Sequence, residues 1–405
     1  MSKFVKLSSI AELTVGFVGT MAKHYEDEGI PFLRSLNIKP FKIISDDMKY
    51  VSAEFSNSLS KSILHGGDVV IVRTGIPGTC CVVPAEYDGC NCSDVVIVHP
   101  NTELVNPHYL AAYINFWGQR QIQNNKVGAI QQHFNVHSAE EMLIFLPDIT
   151  EQEKIAKTIV ALNGKIENNF SVCVELEAMA KTLYDYWFTQ FDFPNENGKP
   201  YCSSGDEMVW NDQLKRKIPK GWSAGQLSDI ANITMGQSPS GDTYNENGSG
   251  TIFYQGCTDF GTRFPVPRVY TSAPTRFAKA GDILMSVRAP VGTLNIAMED
   301  CCIGRGLAAL NSKFGSQLHL LYTLSGFKQL FDVMDGNGTT FGSITKDTLF
   351  EMKVVIPRRD QIKSFEEMVQ PIEQKIRVAE QENRELTKLR DWLLPMLMNG
   401  QATVE

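Results

Sequence analysis

Several short constellations in this sequence carry side chains able to do chemistry. Pro147-Asp148 followed by Glu153-Lys154 comes near a nuclease constellation, but the position two before Lys154 is Gln152 rather than an acid. The same residues read as a helix start. Thr150-Glu151-Gln152-Glu153 is a capping box, in which the Thr hydroxyl serves the third backbone N–H and the Glu reaches back to the cap. Asn106-Pro107-His108-Tyr109 approaches the Asn-Pro-Pro-Tyr pattern with which amino-methyltransferases hold a flipped base, with His108 in place of the second Pro. Asn before Pro is also what a helix cap and first helical position require. Cys90-x-Cys92 and His133-x3-His137 hold zinc-ligand types, yet nothing in their spacing forces them together. No Ser/His/Asp or Cys/His arrangement stands out, and Gly304-Arg305-Gly306 is too short for a cofactor cradle. The expectation is a non-enzymatic chain with no catalytic residues, no metal and no cofactor of its own.

A second group of side chains suits recognition rather than catalysis. Arg73 and Thr74, Arg288, Gln237 and Ser238, Arg305, the run Gln131-Gln132-His133, and Thr339-Thr340 all fall in polar loops beside strand-like runs. Arg and Gln can make bidentate contacts with guanine and adenine edges. The competing reading pairs Arg73 and Arg288 with Asp68 and Asp282 as structural braces, and leaves the Gln and Thr loops as plain exposed turns.

These loops recur because the chain says nearly the same thing twice, about 210 to 220 residues apart. Leu7-Ser8-Ser9-Ile10-Ala11-Glu12-Leu13-Thr14-Val15-Gly16 lies without a gap on Leu227-Ser228-Asp229-Ile230-Ala231-Asn232-Ile233-Thr234-Met235-Gly236. Gly67-Asp68 through Arg73 answers Gly281-Asp282 through Arg288, and Gly128 through Pro147 aligns on Gly338 through Pro357. Such a period fits a duplicated domain, not a solenoid. After each copy, apolar residues recur at steps of four and three. The first seam is Ile155, Ile159, Leu162, Ile166, Asn169, Leu176 and Leu183; the second is Phe365, Val369, Ile372, Ile376, Asn383 and Leu386. These seams call for partner helices, and an Asn in each lowers stability while fixing register. Pro371 is expected to kink the second helix in its early turns.

The fold class expected is therefore mixed α/β, with two globular domains in tandem repeat separated by two long helices that pair as an antiparallel coiled coil. The expected boundaries are residues 1–149 and 223–357 for the domains, 150–190 and 358–405 for the helices with the C-terminal tail, and 191–222 for a connector. Composition agrees, with 43% hydrophobic and 21% charged residues in 405. Nine cysteines, an odd number in no disulfide or CxxC pattern, read as reduced thiols. No run is long enough to span a membrane, and the polar start is no secretory signal, so the chain is expected in the cytoplasm. A net charge of −8 argues against indiscriminate nucleic-acid binding but allows basic residues gathered on one face.

Taken together, the chain resembles the specificity subunit of type I restriction-modification systems over essentially its whole length. The resemblance is carried by Leu146-Pro147 with Glu151 to Ile155, Trp187-Phe188-Thr189-Gln190-Phe191-Asp192-Phe193-Pro194, Gly198-Lys199-Pro200-Tyr201, Ile218-Pro219-Lys220-Gly221-Trp222, the Gly281 to Gly292 stretch and Gly304-Arg305-Gly306. It implies two target-recognition domains, each reading one half of a bipartite double-stranded DNA target. It also implies paired helices that act as a ruler and dock two methyltransferase subunits. Restriction motor-nuclease subunits would complete the complex, and S-adenosylmethionine, Mg2+ and ATP would sit on those partners. The alternative is a non-enzymatic coiled-coil adaptor whose two globular ends bind protein.

Overall fold

The computed structural model describes residues 3–118, 121, 134–336 and 343–404. It divides into two units, Met1–Asn168 with Glu382–Glu405, and Asn169–Gln381. Each unit combines one repeat with a stretch of both long helices.

In the first unit an antiparallel sheet has the strand order Ala11–Val15, Val95–Pro100, Val69–Val72, Cys80–Val82. The second unit repeats it as Ala231–Met235, Leu307–Ser312, Ile283–Ser286, Leu294–Ile296. The central strands are continuously apolar because both their faces are covered. Val69, Ile71, Val96 and Val98 join one core, while their neighbours Val70, Val72, Val95 and Ile97 join another. In the second unit Ile283, Met285 and Leu310 likewise face one core and Leu284, Leu307 and Ala309 the other. Beyond the second core lies another sheet, of three strands in the first unit and five in the second, with one parallel pair: Ile30–Leu33 with Asn91–Cys92 and Thr251–Tyr254 with Cys301–Ile303.

The repeated Gly-Asp has a structural cause. Gly67 and Gly281 turn the chain into the central strand at φ 96° and 89°, a conformation that glycine adopts without steric cost. The adjoining carboxylate ties the turn: Asp68 Oδ2 accepts from the His65 amide at 2.7 Å and Asp282 Oδ2 from the Lys279 amide at 2.8 Å.

The first long helix runs Ile149–Tyr184 and ends in a π-helical turn, Asp185–Thr189; the second runs Arg359–Met398, without a break at Pro371. Thr150 does not cap the first helix. Asp148 does, its Oδ1 accepting from the Glu151 amide at 3.0 Å, which also sets a carboxylate against the positive helix end. Gln152 is instead fully buried, receiving the Asn106 amide at 2.9 Å and donating to the Leu104 and Pro147 carbonyls.

Within the first unit the helices pair antiparallel. Asn163 accepts from Arg390 Nη1 at 3.0 Å, Ile166 from Asn383 Nδ2 at 3.1 Å, and Lys165 pairs with Glu382 at 3.3 Å. Ile155 and Ile159 are buried with Leu394, Leu397 and Met398, while Leu162, Ile166 and Leu386 are half-buried. Asn383 thus finds a main-chain acceptor on the first helix, and a polar seam residue favours the pairing that satisfies it. In the second unit Asn169, Phe365, Val369, Ile372 and Ile376 are buried and Leu176 and Leu183 half-buried, with Cys173 Sγ 3.8 Å from the Ile376 carbonyl. The aromatic run after the first helix serves packing. Phe188 meets Phe365 at 5.1 Å, and Phe191 and Phe193 meet Trp222 at 5.5 and 5.1 Å, distances of favourable aromatic pairs.

Candidate nucleic-acid interface

The sheet ladders place the candidate residues in loops at corresponding strand ends, with one shift. Val72 pairs with Val95 and Ser286 with Leu307, the corresponding first residues of their strands. The next amide then donates to equivalent carbonyls, Arg73 to Asp94 at 3.2 Å and Val287 to Gly306 at 2.9 Å. Arg73 therefore corresponds to Val287, and Thr74 to Arg288. Equating Arg73 with Arg288 by their order after the strand misses that one-residue offset.

Neither arginine braces the aspartate of its own Gly-Asp turn. Half-buried Arg73 donates from Nε to the Phe134 carbonyl at 3.2 Å, and the Thr74 hydroxyl donates to Asp94. Arg288 is exposed; its backbone bridges Ser343, and among the described residues its side chain has no ion pair. Arg73→Ala is expected to lower the thermal stability of the first unit while leaving target preference largely intact. Arg288→Ala should leave folding unchanged and cost about 1 to 3 kcal/mol of discrimination if it touches a base. Melting curves beside relative affinities for matched and mismatched duplexes separate the two roles; equal loss of stability in both variants would contradict this division.

In the second unit Gln237, Ser238 and Arg305 come together. Gln237 and Arg305 are exposed, the Arg305 amide donates to Ser238 Oγ at 3.2 Å, and the Gln237 amide donates to the Ile303 carbonyl at 3.0 Å. The flanking glycines are needed for close backbone approach: a Cβ on Gly236 would lie 2.2 Å from the Gly304 carbonyl oxygen. Gly304-Arg305-Gly306 is thus a tight crossing of chains that presents one arginine. Gln131, Gln132, His133, Thr339 and Thr340 lie outside the described residues.

The constellations with possible chemistry resolve into local structure. Asn106 Oδ1 accepts from the His108 and Tyr109 amides at 3.0 and 3.1 Å and caps the helix Pro107–Tyr113, which continues as a π-helical turn, Ile114–Gly118. Cys90 and Cys92 are buried, and burial raises their thiols to about 11 in the first case and beyond the ordinary thiol range in the second. Among the described residues no three His, Cys, Asp or Glu side chains gather as a metal site, and no helix is long and apolar enough to cross a membrane.

One arrangement had no sequence signal. His99 Nδ1 lies 2.7 Å from Asp68 Oδ1, and His99 Nε2 lies 3.4 Å from Thr14 Oγ1. Hydroxyl, imidazole and carboxylate in that order suggest a catalytic relay. The repeat argues otherwise: Asn311 Nδ2 donates to Asp282 Oδ1 at 2.9 Å in the matching place, where an amide cannot carry a proton. The pair is a brace across the sheet. The Asp68 hydrogen bond raises the His99 pKa above 6.5, although burial opposes it. A raised folded-state pKa stabilises below the unfolded value and is lost as pH rises through the folded one. The first unit should therefore lose stability on going from well below to well above neutral pH. His99→Asn should remove that part of the pH dependence, as denaturation midpoints at the two extremes would report. An unchanged pH profile in the variant would count against the brace.

Residues 219–388 match the family model of the type I restriction modification DNA specificity domain. The chain is 28% identical over 399 residues to the MjaX type I restriction enzyme specificity subunit of Methanocaldococcus jannaschii, covering 96% of this chain and 91% of that one. It is 23% identical over 423 residues to the HindI specificity subunit of Haemophilus influenzae, covering 87% and 91% of the two chains. Over nearly its whole length the chain is thus similar to specificity subunits of type I restriction-modification systems. Its fold is also that of the type I system S subunit from M. genitalium, with a TM-score of 0.58 at 14% identity over 98% of this chain and 96% of that one. The region matched by the family model begins at Pro219, the last residue of the strand Arg216–Pro219, and ends within the second long helix.

Proposed function

We propose that this chain reads a bipartite duplex DNA target, one half-site per repeat, and directs a separate adenine methyltransferase and a motor-nuclease to it. The observation that carries this is the double construction. One sheet is built twice with the same strand order, and the loops at matching strand ends bear different side chains: Thr74 answers Arg288, and Phe17 answers Gln237. Equal scaffolds with unlike loops suit two unlike half-sites. The long helices, 36 and 40 residues, or roughly 54 and 60 Å at ~1.5 Å per residue, suit a spacer between half-sites and a docking rail for two methyltransferase subunits. The chain itself would then be non-catalytic and cytoplasmic, with S-adenosylmethionine, Mg2+ and ATP held by its partners. A purely protein-binding adaptor is not favoured, because residues 219–388 match a DNA specificity domain.

Methylation sequencing of host DNA with and without this gene tests the proposal. A split adenine-methylated motif should be present with the gene and absent without it, and the purified chain alone should transfer no methyl group and cut no DNA. An unchanged methylome on deletion would refute it.

A further inference from the structure

The second recognition domain has a candidate base-reading centre of its own. Thr251–Tyr254 and Cys301–Ile303 are adjacent parallel strands, with Phe253 opposite Cys302 and Tyr254 opposite Ile303. The residues just past their C-terminal ends are Gln255 and the Gly304-Arg305-Gly306 turn. The turn is locked to the neighbouring strand: the Gly304 amide donates to the Tyr254 carbonyl at 2.8 Å and the Gly306 amide to the Gln255 carbonyl at 3.2 Å. A Cβ on Gly304 would stand 2.9 Å from Gln255 Cα and one on Gly306 2.7 Å from the Gln255 oxygen, so only glycine lets the turn lie this close to the neighbouring strand. Both side chains are exposed, and they line a cavity of about 450 Å3 together with Ser238, Tyr244 and Phe253. Tyr244 packs on buried Phe253 with ring centroids 4.8 Å apart, giving the cavity an apolar wall. The other cation of the cavity, Arg268, is held by Asp259 at 2.7 Å and by Glu246 at 3.5 Å. Arg305 makes no ion pair among the described residues, so its guanidinium is the donor left for a ligand.

The first domain differs at the same place. The Ser93 amide donates to the Leu33 carbonyl as Gly304 does to Tyr254, which sets Arg34 in the position of Gln255. Arg34 is paired with Asp47 at 3.0 Å. Between matching carbonyls the first copy has only Ser93-Asp94, so Arg305 belongs to a turn one residue longer. An acid therefore stands in the first domain where the second presents a free cation.

We infer that Arg305 and Gln255 are specificity-determining residues of the second domain and that Arg305 takes the major-groove edge of a guanine, where two acceptors match its fork. This rests on the DNA-recognition reading above. Ligand contacts at the C-terminal ends of parallel strands are also where open α/β sheets place them.

The test is methylome sequencing of host cells carrying the whole system with wild-type, Arg305→Ala, Arg305→Lys or Gln255→Ala protein. Arg305→Ala should relax one G·C position in one half-site by about 10- to 100-fold while the other half-site stays intact. Arg305→Lys should retain part of that preference, and Gln255→Ala should relax a neighbouring position. Thermal melting of the purified variants should match wild type, since both side chains are exposed. An unchanged motif in Arg305→Ala overturns the inference. So does relaxation confined to an A·T position, or a uniform loss of methylation by a normally folded variant, which would mark a phosphate anchor. Absence of any split motif with wild-type protein would instead overturn the underlying functional reading.

Discussion

Replacing the second repeat by that of a type I specificity subunit is expected, on the proposed function, to rewrite one half of the methylated motif and leave the letters of the other half unchanged. Each unit closes its own sheets and cores: Ile283, Met285 and Leu310 lie in one set, Val69, Ile71 and Val98 in another. Energies of sites without shared partners add, so a new set of loops in one unit should not alter what the other reads. The graft needs more than residues 223–357. Leu318, Leu321 and Tyr322 share a core with Trp187, Phe188, Phe365 and Val369. A cut at 223 and 357 would therefore mismatch that core by several buried contacts, each worth about 1 to 3 kcal/mol when repacking fails. Exchange of residues 169–381 avoids the mismatch. Methylome sequencing of both exchanges reads the result, and a change in both half-sites would show that recognition is not divided between the repeats.

Arg263→Ala is expected to produce the largest loss of stability in the second unit. Arg263 is 4% exposed and Glu373 8%, with Nε and Oε2 at 3.6 Å, and a second carboxylate, on partly exposed Glu177, lies 3.5 Å from Nη2. Burial raises the Glu373 carboxyl, and Arg263 and Arg377 oppose that. Neither Glu373 oxygen has a hydrogen bond among the described residues, so the pair is held by charge alone. Removing Arg263 takes away the stronger of the two charge interactions that offset burial of Glu373 and leaves that of Arg377 alone. Breaking a buried pair costs about 3 to 5 kcal/mol when nothing compensates, and the remaining cation places the loss toward the lower end of that range. Chemical denaturation of Arg263→Ala measures it. The double variant Arg263→Met with Glu373→Leu should regain most of the loss, because an apolar pair of similar volume is often neutral or better. Equal instability of the single and double variants would mean that packing volume, not charge, is what Arg263 supplies.

The amino-acid order by itself determined whatever depends on neighbours within a few residues. Gly-Asp turns before Val69–Val72 and Ile283–Ser286, the Asn106 cap and the four-three seams are short-range signals, set by backbone freedom, local donors and helical period. Duplication was legible for the same reason, since two copies of one fold repeat those signals. Asp148 rather than Thr150 caps the first long helix because the preceding strand, Leu143–Leu146, delivers the chain two residues earlier than the capping box alone suggests. The tertiary structure alone decided what depends on ladder register and on pairs distant in sequence. The turn that presents Arg305, after Cys301–Ile303, holds one residue more than the turn after Asn91–Cys92, a difference that the cross-strand hydrogen bonds locate. His99 meets Asp68 from 31 positions away, and Arg263 meets Glu373 from 110 positions away, because strand pairing and helix packing bring them together. Arg305 and Gln255 share a cavity for the same reason: a parallel pair sets the ends of strands some 50 residues apart side by side, and no local pattern encodes that neighbourhood.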